Sequence, residues 1–146
     1  VTSGADSAIK VPFEAGSDES NAILESLALA GERCADPAPL VYQALFTRYP
    51  DLEVLFVRDR DGAVRGEMLA KLFETIIDLV GNRVYGENMI RCEAATHAGY
   101  GVPPEIFVAF YDVLRDTVSA LADADWTYRH QAAWTQLISR MTALSL

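Results

Sequence analysis

The chain has 146 residues, 51% of them apolar and 23% charged, with a net charge of −9. This is the size and composition of one globular domain; it excludes a wholly disordered chain, a collagen-like repeat and a disulfide-dense scaffold. The acidic balance makes nucleic acid and anionic membranes poor partners, and no apolar run approaches the roughly 18 residues of a membrane helix.

Residues 1–17 are rich in Ser, Gly and Ala, show no period, and read as a loose leader; residues 18–146 read as the folded domain. No charged start and unbroken apolar core of a signal peptide is present at the N-terminus. Cys34 and Cys92 are isolated and match no metal or redox spacing. Reduced thiols in a cytoplasmic protein are therefore the expectation.

Asp18 caps the first predicted helix, whose stripe is Ile23, Leu24, Leu27 and Ala28, and which fades near Gly31. Asp36-Pro37 is a second start signal, a capping carboxylate followed by proline. That helix carries Leu40, Val41, Ala44 and Leu45 inward and ends near Tyr49-Pro50, because Pro50 pushes its predecessor out of helical geometry. Asp51 to Phe56 reads as a short helical turn, and Val57 to Val64 as a charged loop. The clearest pattern runs from Gly66 to Val80, where Leu69, Leu72, Phe73, Ile76, Ile77 and Val80 share one face and Gly81 stops the helix. A weaker helix from Gly86 to Ala98 is broken by Gly99 and Gly101. Pro103-Pro104 starts another, with Ile106, Phe107, Phe110, Leu114, Val118 and Leu121 inward. Thr127 caps the last, with Trp134, Leu137, Ile138 and Met141 facing the core. No segment keeps the period of two that a strand requires. The expectation is an all-α domain of six to eight helices.

Most constellations that carry chemistry are absent. There is no phosphate-binding glycine loop, no metal-ligand spacing and no nucleophile elbow. With two histidines in the chain, a site built from several imidazoles is excluded. His97 stands out because it ends a helix just before Gly99-Tyr100-Gly101-Val102, where the glycines allow a sharp turn. Such an imidazole either reaches out as a ligand to a metal or cofactor iron, or satisfies a helix carbonyl. His130, among Tyr128, Arg129 and Gln131, reads as a solvated surface residue. Arg58-Asp59-Arg60-Asp61 reads as a solvated loop. Phe46, Phe56, Phe73, Phe107 and Phe110, taken singly, read as core.

Several of these pieces line up with one family. Tyr42-Gln-Ala-Leu-Phe-Thr-Arg-Tyr-Pro-Asp-Leu-Glu-Val-Leu-Phe56 resembles the B-to-C helix signature of bacterial globins of the single-domain haemoglobin and flavohaemoglobin type. His97 followed by Gly101-Val102 resembles the proximal histidine and Gly-Val pair of that family, and Ala133-Trp134 resembles its last helix. The likeness covers roughly residues 18–146. It implies a globin fold around haem b, with His97 as the iron ligand, Phe56 against the porphyrin, and Tyr42 in the distal pocket as a donor to bound gas. It further implies Leu69 over the iron, Arg65 at the distal position one turn before it, and Val102 and Phe107 at the proximal haem edge. That register needs one deletion in the preceding loop; placed further on, the deletion substitutes Gly66 and Ala70.

The chain departs from that family at several positions. No distal histidine is available, so bis-histidine ligation within one chain is not expected. Arg65 swings over the ligand or pairs with a propionate. Glu93, one turn before His97, stands where an apolar contact is usual; a buried carboxylate there is costly unless paired, so the helix is shifted or Glu93 points outward. The tyrosine that polarises the proximal histidine in flavohaemoglobins is replaced by Phe107, and the position of its glutamate partner is expected beyond Leu146. No reductase segment is expected. The resemblance thus implies a single-domain globin that reversibly binds O2, NO or CO, for gas binding, sensing, or NO detoxification with a separate reductase, as a monomer or homodimer. The rival reading is a haem-free globin-fold regulatory or interaction module.

Overall fold

Ser17, rather than Asp18, starts the first helix: its side chain accepts from the Ser20 N–H at 3.2 Å, while Asp18 and Glu19 sit in the first turn, where acidic groups oppose the positive end of the helix dipole. The computed structural model describes residues 13–146, so residues 1–12 of the expected leader lie outside the described residues. In its described part, Phe13 is only 3% exposed within the core, while residues 14–16 are exposed.

Six α-helices follow one another among the described residues: α1 (Asp18–Arg33), α2 (Ala38–Arg48), α3 (Ala63–Leu79), α4 (Gly86–Gly99), α5 (Pro104–Ala122) and α6 (Tyr128–Ser145). Two 3-10 segments, Pro50–Phe56 and Asp123–Asp125, link α2 to α3 and α5 to α6. The start signals act locally as expected. Asp36 Oδ1 accepts from the Ala38 N–H at 3.2 Å, and Pro37 and Pro104 stand at helix starts. No described helix is long and apolar enough to cross a membrane.

Helix α1 packs on α5 and α6, α2 packs on α5, α3 on α4, and α4 on α6. Trp134 is fully buried where α6 meets α1, and its Nε1–H donates to Ser26 Oγ at 2.8 Å; Ser26 in turn donates to the Ile23 carbonyl at 2.7 Å. Burying an indole without such a partner would leave its N–H unpaired, at a cost of about 1–3 kcal/mol. Ile23, Val41, Ile76, Val113, Leu114 and Leu137 complete the same core.

The structure corrects the sequence reading at several positions. Leu24, Leu40 and Ile77 were expected inward and are 40%, 43% and 50% exposed, while Tyr42, Ala22 and Ala30 are buried instead. An apolar stripe wider than its contact leaves its margins in water. His130 is not a surface residue; it is buried at 4% exposure. It occupies the third position of a capping box, with Nδ1 accepting from the Thr127 N–H at 3.0 Å while the Thr127 hydroxyl accepts from the His130 N–H. Asp59 is not a solvated loop residue either. It lies at 9% exposure and accepts from the Val64 and Arg65 N–H groups, both at 3.0 Å, which caps α3 from outside the helix. Both cysteines are free thiols.

Candidate functional site

The end of α4 fixes the histidine. Gly101 adopts φ +86°, which suits a residue without Cβ. The Val102 N–H then reaches the His97 carbonyl at 3.0 Å, and the Gly101 N–H reaches that of Ala98 at 3.0 Å. This pair of bonds is a Schellman termination, in which the residue after the left-handed glycine is folded back on the residue five positions earlier. It explains why His97 and Val102 border the same space, and Pro103 follows because it cannot continue the helix.

That space is a cavity of about 290 Å³, at the lower end of the range of small-molecule pockets, about 300–1,000 Å³. His97 lines it from α4, Val102 from the loop that follows, Phe107 from the start of α5, Tyr42 from α2, and Phe56 from the 3-10 segment. Five of the seven residues singled out from the sequence are therefore brought together. Arg65 and Leu69 are not among the lining residues, nor are Gly66 and Ala70. Leu69 is 2% exposed within the core. The Arg65 guanidinium is turned onto Asp59, with Nε donating to Oδ2 at 3.0 Å, and it lies 5.9 Å from the centre of the Phe56 ring. Helix α3 faces the cavity with Val64, Met68 and Leu72, one position aside from the expected register. Leu69, Ile76 and Val80 of the apolar stripe are taken into the core instead, and neighbouring residues on a helix point about 100° apart.

His97 and Tyr42 are held differently. His97 Nδ1 lies 2.7 Å from the Glu93 carbonyl. A carbonyl only accepts, so Nδ1 carries the proton and Nε2 keeps a lone pair. The Phe107 ring packs against the imidazole at 5.0 Å between centroids. Tyr42 is 2% exposed, wedged between Phe56 and Phe110 at centroid distances of 5.5 and 5.4 Å, and its hydroxyl has no hydrogen-bond partner among the described residues. Burial pushes the Tyr42 phenol well above its ordinary range, against a weaker opposing pull from Arg65. The group is therefore a neutral O–H donor.

Charge gathers among the lining residues Glu67, Lys71 and Glu93. Lys71 Nζ lies 3.5 Å from Glu93 Oε1. Glu93 is thus neither displaced nor directed wholly into water; it borders the cavity, one-third exposed and paired. Sequence spacing could not reveal that pair, since its members lie on different helices. Tyr111 also lines the cavity, and its hydroxyl sits 2.8 Å from Ser145 Oγ. Ser145 already donates to the Met141 carbonyl at 2.7 Å, so the tyrosine is the donor. The Phe107 ring packs against both Tyr111 and His97.

A family model for globins matches residues 40–144, from the first turn of α2 to the end of α6. The chain belongs to the globin family. No curated protein and no solved structure matches this globin. Its fold is the all-α globin fold, and the cavity between its helices is the place to test for the haem that globins usually hold. The donor set fits. Among the described residues no group of three or more His, Cys, Asp or Glu could hold a bare metal ion. His97 offers a single oriented lone pair, which would suit an iron whose remaining protein-independent ligands come from a porphyrin. The unpartnered Tyr42 hydroxyl and the mostly apolar lining point the same way.

Proposed function

We propose that this globin binds haem b through His97 Nε2 and holds a diatomic gas, O2, NO or CO, beside Tyr42, in the manner of single-domain bacterial globins. The observation that carries this reading is the buried Tyr42 hydroxyl without a partner in the cavity that His97 also lines. A buried donor left unpaired costs about 1–3 kcal/mol, and a ligand with a partly negative atom relieves that cost.

When bound, haem supplies an iron with a coordination position for the gas. The chain's own residues do the rest. The Nδ1–H bond to the Glu93 carbonyl fixes the tautomer and ring angle of His97. Tyr42 donates its hydroxyl proton toward the gas without losing it, because burial disfavours the phenolate. Phe56, Phe107 and Val102 supply apolar surface and exclude water. Arg65, held on Asp59, is not among the residues that line the cavity, and Tyr42 supplies the distal hydroxyl donor.

The test is an absorption spectrum after haem reconstitution, in ferric, ferrous and ferrous-plus-CO forms, beside His97→Ala. The expected result is a Soret band that shifts with CO in the parent and is lost or altered in the variant, with helical circular dichroism retained in both. Absence of specific haem uptake would overturn the reading and favour a cofactor-free globin module.

A further inference from the structure

Three residues form a continuous line at the edge of the cavity. Lys71 Nζ on α3 lies 3.5 Å from Glu93 Oε1, and Glu93 Oε2 lies 3.8 Å from His97 Nδ1. The His97 Nδ1–H is therefore flanked by two oxygens of one residue, the main-chain carbonyl at 2.7 Å and a side-chain carboxylate. Glu93 and His97 are four residues apart on α4, the spacing that stacks side chains on one helix face.

We propose that Glu93 is a positioning residue for His97, and that Lys71 sets how strongly its charge is felt. This rests on the haem reading above. A carboxylate beside Nδ1–H raises the electron-donating power of the imidazole through its Nε2. It does so without taking the proton, which stays on Nδ1 in its bond to the carbonyl. The two ends of the line act in opposite senses. The Glu93 charge favours the higher-charged ferric state of an iron held by Nε2, and the Lys71 charge, 3.5 Å beyond, offsets part of it. The Phe107 ring that packs against the imidazole is apolar, and Glu93 is a charged neighbour placed to tune it. Its side chain is one-third exposed and that of Lys71 more than half exposed, which screens the effect without abolishing it.

The test is the midpoint potential and the ferrous iron–histidine stretching frequency of the haem-loaded protein, for the parent, Glu93→Gln and Lys71→Ala. Glu93→Gln keeps the shape and main-chain carbonyl and removes the charge. At a fixed potential it should lower the ferric-to-ferrous ratio by about fivefold, the size of effect a unit charge has across several ångströms of partly solvated protein, and lower the stretching frequency. Lys71→Ala should move both in the opposite direction. A contact that only clamps α3 to α4 predicts something else: both variants lose thermal stability and neither moves the potential, which would overturn the proposal. Shifts of the same sign in the two variants would overturn it as well. Failure of all three proteins to take up haem would overturn the haem reading itself, and this inference with it.

Discussion

Tyr42→Phe removes one oxygen atom and, if the site works as proposed, weakens gas retention in the loaded protein without weakening the fold of the cofactor-free chain. In the empty chain the Tyr42 hydroxyl is buried and has no partner among the described residues. Its loss removes a desolvated donor while keeping the ring contacts to Phe46, Phe56 and Phe110. Stability should stay level, where cavity water already serves the hydroxyl, or rise by up to about 1–2 kcal/mol. In the loaded protein the same hydroxyl donates to the gas, a bond of about 1–3 kcal/mol. O2 should then leave the variant about fivefold to a hundredfold faster, at about 1.4 kcal/mol per factor of ten. CO, a weaker hydrogen-bond acceptor, should change less and serves as the internal control. Urea unfolding of the cofactor-free chains gives the first quantity, and stopped-flow dissociation of each gas the second. An unchanged O2 rate, or a loss of more than about 1 kcal/mol in the empty variant, would refute the placement of this hydroxyl as an unpaired donor awaiting a ligand.

Asp78→Ala should destabilise the fold by about 3 kcal/mol in denaturant titration, because its buried carboxylate accepts from the Val84, Tyr85 and Gly86 N–H groups at 3.0, 3.1 and 2.6 Å. Burial raises the pKa of Asp78, but these three bonds outweigh it and hold the group below the ordinary carboxylate range. The stabilisation is therefore complete above about pH 4 and lost as pH falls through the lowered value, so the parent's acid limb there should flatten in the variant. Gly86→Ala should lower the melting temperature at the same corner. A Cβ there would lie 2.8 Å from Asp78 Oδ2 and 3.0 Å from both Leu79 Cγ and the Thr75 carbonyl, which amounts to overpacking of about 1–3 kcal/mol.

Much of the helix plan was legible along the chain, because starts and stops are local events. Asp36-Pro37, Pro104 and Thr127 each act within a turn of themselves. The end of the helix that carries His97 was legible for the same reason, since Gly101-Val102 closes it with two backbone bonds, whereas the role of His97 came only from the family resemblance. Local rules failed where a side chain chose a partner that composition does not single out. His130 read as solvated, yet it serves in the cap of α6 against Thr127, and Asp59 read as loop charge, yet it caps α3 and captures Arg65.

By itself, then, the sequence determined an all-α chain and its main helix boundaries, which follow from backbone geometry and apolar periodicity and need only near neighbours. Tyr42 and His97 were paired in one pocket only through the resemblance to the globin family. Only the tertiary structure decided which face of α3 borders the cavity, that Glu93 sits between Lys71 and His97, and that the Tyr42 hydroxyl is left without a partner. Rotating a helix by one residue moves its side chains by about 100° with almost no change in its pattern. That choice is made by the packing of α3 against its neighbours, with Leu69 and Ile76 taken into the core and Met68 left to the cavity.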